Sequence, residues 1–218
     1  LEVPSLAATR THDTLLSLNV SDSAHFITQY SPELLAAHIA AVRSGNKDVI
    51  SRLQLLDETI LLVRGGELPS VSLIELIDAY RNETSEHVWA MMHGALAELR
   101  KFVDTDQQAE AKLRSLSASI ARSQYDRLGW EAQPGESDDD TKLRATILSM
   151  MLYGEDKDAM KQAKSIYESS SLEDIDAELR PLVISTVVRH GDQSIVDALM
   201  AIHVSTHSAE LREDITTG

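Results

Sequence analysis

The chain contains no cysteine, which excludes disulfides, thiol nucleophiles and Cys-ligated zinc and leaves stability to packing. With 5 Pro and 9 Gly in 218 residues, neither a collagen-like nor a linker-rich reading fits. Basic residues are outnumbered, 20 against 35 acids, and the net charge of −15 repels phosphate backbones and anionic lipid. No nucleic-acid or membrane partner is therefore expected. Long apolar runs are also missing: Ile60–Val63 and Ile147–Tyr153 fall far short of the roughly 20 residues a membrane helix needs. What remains is 43% hydrophobic residues, enough for a sizeable globular core.

Residues 15–20 (LLSLNV) and 25–30 (HFITQY) alternate and are rich in β-branched and aromatic side chains, which predicts a β-hairpin around Ser21–Ala24. A lone hairpin is marginal in water. Residues 1–30 are accordingly expected to be the remnant of a larger sheet, and the start at Leu1 agrees with an excised fragment. From Ser31-Pro32 the period becomes helical. Val49, Leu53, Leu56, Ile60 and Val63 form one stripe closed by Gly65-Gly66, and Val88, Met92, Leu96, Leu99 and Val103 form another behind a Thr84-Ser85 cap. Leu113, Leu116, Ile120 and Leu128 mark a long helix, followed by an acidic interruption over Glu131–Asp140. Leu143, Ile147 and Met151 begin the next helix, Met160, Ala163 and Tyr167 another, and Pro181–His190 one more. Asp192 caps a last helix through Leu199 and Ile202. About nine short-linked helices predict an all-α fold, an irregular superhelix of stacked antiparallel helix pairs, over residues 31–218.

Chemistry is hard to find along this chain. His203 and His207 have the i, i+4 spacing of a helical zinc pair, but Val204 stands where a zinc hydrolase needs Glu to deprotonate the metal-bound water. Two ordinary surface histidines are the simpler reading. His87 and His93, six apart, do not share a helical face cleanly. No G-x-S-x-G elbow and no phosphate-cradling Gly-rich loop occurs. Glu136, Asp138, Asp139 and Asp140 lack the alternation and central Gly of a calcium loop, and read as a solvated helix cap. Trp89 and Trp130 read as packing anchors, and Arg144 and Arg180 as architectural partners of nearby acids such as Glu178 or the loop aspartates. Catalytic, cofactor-binding and metal-ligating residues are therefore all assigned as none.

The string Tyr125-Asp126-Arg127-Leu128-Gly129-Trp130-Glu131, with Gly135-Glu136-Ser137-Asp138 and Leu143-Arg144, resembles the C-terminal helical domain of zinc metallo-aminopeptidases of the aminopeptidase N type. Three more stretches agree in order. HFITQYSPELL at 25–35 is similar to the family's YYRVNYD junction between β-sandwich and helices, with Thr28 in place of Arg and Ser31 in place of Asp. SRLQLLDETILLVRGGE at 51–67 and IDAELRPLV at 175–183 resemble two further family segments. The resemblance covers essentially the whole chain and is nearest to the bacterial, cytosolic enzymes, which implies a cytoplasmic location. It implies a parent that removes N-terminal amino acids from peptides with zinc. The zinc would sit in a catalytic domain whose G-x-M-E-N and H-E-x-x-H motifs have no counterpart here. The helical part would enclose the substrate chamber against its own catalytic domain, help to position peptides, and be inactive alone. It normally runs further than Gly218. The rival reading is a free-standing helical-repeat scaffold that binds a protein partner.

Overall fold

The computed structural model describes residues 15–218, and several of its helices open on a local capping signal. Ser31 accepts the Leu34 amide and Pro32 opens α1 (Pro32–Arg43). Asp48 caps α2 (Val49–Arg64), and Pro69 precedes α3 (Ser70–Ala79). Then come α4 (Glu86–Val103), α5 (Gln107–Leu128) and α6 (Asp138–Tyr153). The last four are α7 (Lys157–Ser169), α8 (Arg180–His190), α9 (Gln193–Ser205) and α10 (Ala209–Thr217). Among the described residues all regular structure is helical, and helices pack in pairs, as the sequence leads one to expect. Helix α10 is an addition to the sequence reading, capped by Ser208 on the Leu211 amide.

Two compact units divide the chain, Leu1–Ala95 and Leu96–Gly218, with the boundary inside α4. In the first, α3 packs on both α1 and α2. Its core holds Leu35 and Ile39, Leu55 and Leu56, Leu76 and Ile77, and the fully buried Trp89. The apolar stripe of α2 is turned from its expected line. Leu55, Leu56, Thr59 and Val63 are buried, while Val49 stays 41% exposed. In the second unit α5 packs on α6, α7 on α8, and α8 on α9 and α10. Leu172, Ile175, Val183, Ile184, Leu199 and Leu211 form its distal core. At Gly154, after α6, an added Cβ would lie 2.6 Å from the Ala118 Cβ and 2.9 Å from the Arg114 carbonyl. Only glycine lets α5 and α6 approach so closely.

The expected hairpin is corrected by the structure: residues 15–30 contain no strand. Residues 1–14, the rest of the expected sheet remnant, lie outside the described residues. A short 3-10 turn at Val20–Asp22 replaces the hairpin loop. Asn19, at φ 52°, organises it by donating to Asp22 (3.1 Å) and the Ala24 carbonyl (2.8 Å) and accepting from the Ala24 amide. The physical reason is that backbone polar groups need partners, and a ladder is only one way to supply them. Here helix side chains supply them: His38 meets the Leu16 carbonyl at 3.0 Å. Tyr30 Oη accepts the Leu18 amide at 3.2 Å, within the same segment.

Candidate functional site

The residues singled out in the sequence fall into structural nodes. Asp138–Asp140 occupy the first turn of α6 behind the Ser137 cap, where negative charge meets the helix N-terminus. From the loop before them, Glu136 accepts the buried Arg144 guanidinium at 2.6 Å and the Gln133 amide at 2.7 Å. The Arg144 guanidinium and the Gln133 amide hold the Glu136 carboxyl below its usual range. Arg144 also reaches the Leu128 carbonyl at 3.3 Å, tying the end of α5 to α6. Arg127 donates to Asp140 at 2.6 Å, and Tyr125 to Asp158 at 2.7 Å. Burial and the Asp158 carboxylate push the Tyr125 pKa up, so this phenol remains a donor. Gly129, at φ 56°, makes the turn between α5 and Trp130, which packs against the distal core. The Tyr125–Glu131 string therefore builds a helix junction.

Arg180 is a second node. Its guanidinium donates to the carbonyls of Leu172 (2.7 Å) and Ile175 (3.1 Å) and to Asp214 of α10 (2.6 Å). The acid partners are thus Asp214, with Glu210 at 3.7 Å, for Arg180 and Glu136 for Arg144; Glu178 and the loop aspartates do not serve in these pairs. Trp89 is the expected anchor, its indole N–H bonded to the Glu83 carbonyl at 3.0 Å. The histidines do not come together: α9 ends at Ser205, so His207 lies beyond the helix that carries His203. His87 is exposed beside Glu86, whereas burial pushes the His93 pKa down. Among the described residues no group of three His, Asp or Glu side chains lies close enough together to hold a metal ion.

Several residues escaped the sequence reading. Glu83 is 5% exposed and binds Arg52 through both oxygens (2.7 and 3.0 Å) while accepting the Thr84 and Ser85 amides at 2.8 Å. Those two amides lie just before α4, which begins at Glu86. His38 is fully buried, its ring 4.2 Å from that of Tyr30. Burial, reinforced by Lys47, pushes its pKa down to about 4 and keeps it neutral. Glu58 is buried nearby, bonded to Gln54 at 3.1 Å, and its carboxyl is raised by burial. Between the 22–27 segment and α2 runs an open cleft of about 660 Å³. Asp22, Asp57 and Glu58 give it acidity, and Phe26, Ile27 and Ile50, each about half exposed, give it apolar wall. Such a cleft suits a cationic or amphipathic group. It was not visible in the sequence because its two sides are separated by the whole of α1.

Over its described residues the chain is an all-helical array of capped, ion-paired helix junctions. It belongs to the ERAP1-like C-terminal domain family, whose model matches residues 15–218. Aminopeptidase N from Lactobacillus helveticus is 33% identical over 210 residues, 93% of this chain and 24% of that protein. Aminopeptidase N from Lactobacillus delbrueckii subsp. lactis is 30% identical over 203 residues, covering 92% and 24%. Aminopeptidase N from Lactococcus lactis subsp. lactis is 29% identical over 221 residues, covering 99% and 26%. The chain spans about a quarter of the length of these curated relatives.

Proposed function

We propose that this chain is the non-catalytic helical part of a zinc aminopeptidase that removes N-terminal amino acids from peptides. In this reading residues 31–218 belong to the helical domain, and the residues before Ser31 form the junction with a preceding β-sandwich domain. The domain walls the substrate chamber, docks on its own catalytic domain and positions peptides whose first bond is cut there. Zinc, with its Lewis acidity, is held by that other domain and not by His203 or His207. A cytoplasmic location goes with the reading; among the described residues no helix is long and apolar enough to cross a membrane.

The observation that carries the proposal is the family match over 15–218 together with the coverage of about a quarter of each Aminopeptidase N. Physical features support it. Helices joined by buried ion pairs move as rigid bodies about junctions, which suits a wall or lid. The excess of acids favours a peptide's cationic N-terminus over anionic competitors. The test is the upstream coding sequence and the metal content of the encoded protein. A long upstream frame containing H-E-x-x-H, one zinc per full chain and none in residues 1–218 are expected. A start codon immediately before Leu1, or tight zinc in the isolated chain, overturns the reading.

A further inference from the structure

Helix α7 carries Lys157, Lys161 and Lys164 at steps of four and three, which places all three on one side. The opposite side holds Ala159 and Ala163, both fully buried, so α7 is seated through its alanines and turns its lysines outward. In a chain of net charge −15, three neighbouring cations would be expected to find acids. Among the described residues the one acid Lys164 reaches is Glu168, at 3.7 Å and with both side chains exposed. Lys157 and Lys161 form no ion pair among the described residues. Below them a cleft of about 490 Å³ opens between α7, α8 and α9. Its floor is Met160 and Tyr167 of α7, Val187 of α8 and Ile195 of α9, with His190 and Glu168 at the margin.

Small-ligand clefts commonly measure roughly 300–1,000 Å³, and combine an apolar lining with a few placed polar groups. This one combines an apolar floor with a cationic rim on a single rigid helix. We propose that the α7–α8–α9 cleft binds an amphipathic monoanion, an aliphatic chain ending in one carboxylate, with the chain on Met160, Tyr167, Val187 and Ile195 and the carboxylate at Lys157 and Lys161. Lysine ammonium groups act as mobile point charges, so they follow a carboxylate at the end of a flexible chain without demanding a fixed angle. Glu168 at the margin penalises a doubly charged head more than a single one. The inference stands apart from the aminopeptidase reading and concerns a site that reading does not use.

The probe is decanoate, titrated calorimetrically into the 1–218 chain below its micellar concentration, with decanol and acetate as controls. Saturable one-to-one binding of decanoate is expected, with decanol and acetate each at least tenfold weaker. Lys157→Gln combined with Lys161→Gln is expected to weaken decanoate at least tenfold with an unchanged circular dichroism spectrum, and raised salt to weaken it further. Ile195→Trp fills the floor from a half-buried position and is expected to abolish binding. Absence of saturable decanoate binding overturns the proposal. So does decanol binding as tightly as decanoate, or binding that neither the lysine double variant nor Ile195→Trp diminishes.

Discussion

Replacing Arg180 with Met tests how the second unit holds its last helix. α10 has 9 residues, and an isolated helix shorter than about 12–15 residues is marginal in water. Its persistence therefore rests on docking, chiefly the buried Leu211 and the Arg180–Asp214 pair, whose side chains are 8% and 13% exposed. Arg180→Met keeps the aliphatic stem but removes three hydrogen bonds, leaving the Leu172 and Ile175 carbonyls without donors. Bonds to a charged donor contribute about 1.5–3 kcal/mol each, and recovered guanidinium solvation offsets part of the loss. A net destabilisation of about 2–4 kcal/mol is the expected result. Asp214→Asn should cost less, because Glu210, 3.7 Å from the same guanidinium, can move in. Urea denaturation followed at 222 nm gives the global cost, and amide exchange over residues 209–217 gives the local one. A change below about 0.5 kcal/mol, with α10 exchanging as before, would refute the reasoning.

Other consequences follow from single sites. His38 titrates at about 4 in the folded chain, below the ordinary imidazole value, so the unfolded chain binds its proton first as pH falls. Its stabilisation is present above about pH 6.5 and is lost towards pH 4, up to about 3 kcal/mol in all, and His38→Gln should flatten the stability profile between those limits. The raised carboxyl of Glu58 acts in the opposite sense, its contribution fading as pH rises through its folded value, so Glu58→Gln should steepen the acid-side slope. Gly154→Ala should lower stability by about 1–3 kcal/mol in thermal melts. Adding Ala118→Gly should rescue only part of that loss, since the Arg114 carbonyl still blocks the new Cβ. Glu83→Gln removes the counter-charge of Arg52 inside a buried cap and should cost about 3 kcal/mol by urea titration, whereas an unchanged midpoint would mean Arg52 is content without it.

What could be read from the sequence was local. Ser31 and Asp192 cap as their positions imply, and the stripes on α4 and α6 are buried almost residue for residue. These features depend on side chains three or four places apart, which the chain order displays. The errors lie where a distant partner decides. Residues 15–30 have the alternation of strands, yet His38 and Gln54, from helices further along, satisfy their carbonyls and no ladder forms. The buried face of α2 is turned towards Leu55 and Thr59, away from the line of Val49. Arg180 could be recognised as architectural, but its choice of Asp214 over Glu178 depends on α10 folding back onto α8. The acidic cleft beside α2 and the lysine-rimmed cleft of α7 are likewise assembled from separate segments, and no spacing rule announces them.

The central claim is that this domain serves peptide positioning in an enzyme whose zinc lies elsewhere. The most direct measurement deletes the stretch equivalent to Ser70–Gly218 from the full-length enzyme and compares zinc content with kcat/KM on leucine p-nitroanilide and on tripeptides. Remote contacts assist the chemical step for substrates long enough to make them, so the account predicts retained zinc, a modest loss on the anilide and a loss of at least tenfold more on tripeptides. A folded, zinc-loaded deletion that hydrolyses both substrates with undiminished efficiency would contradict it.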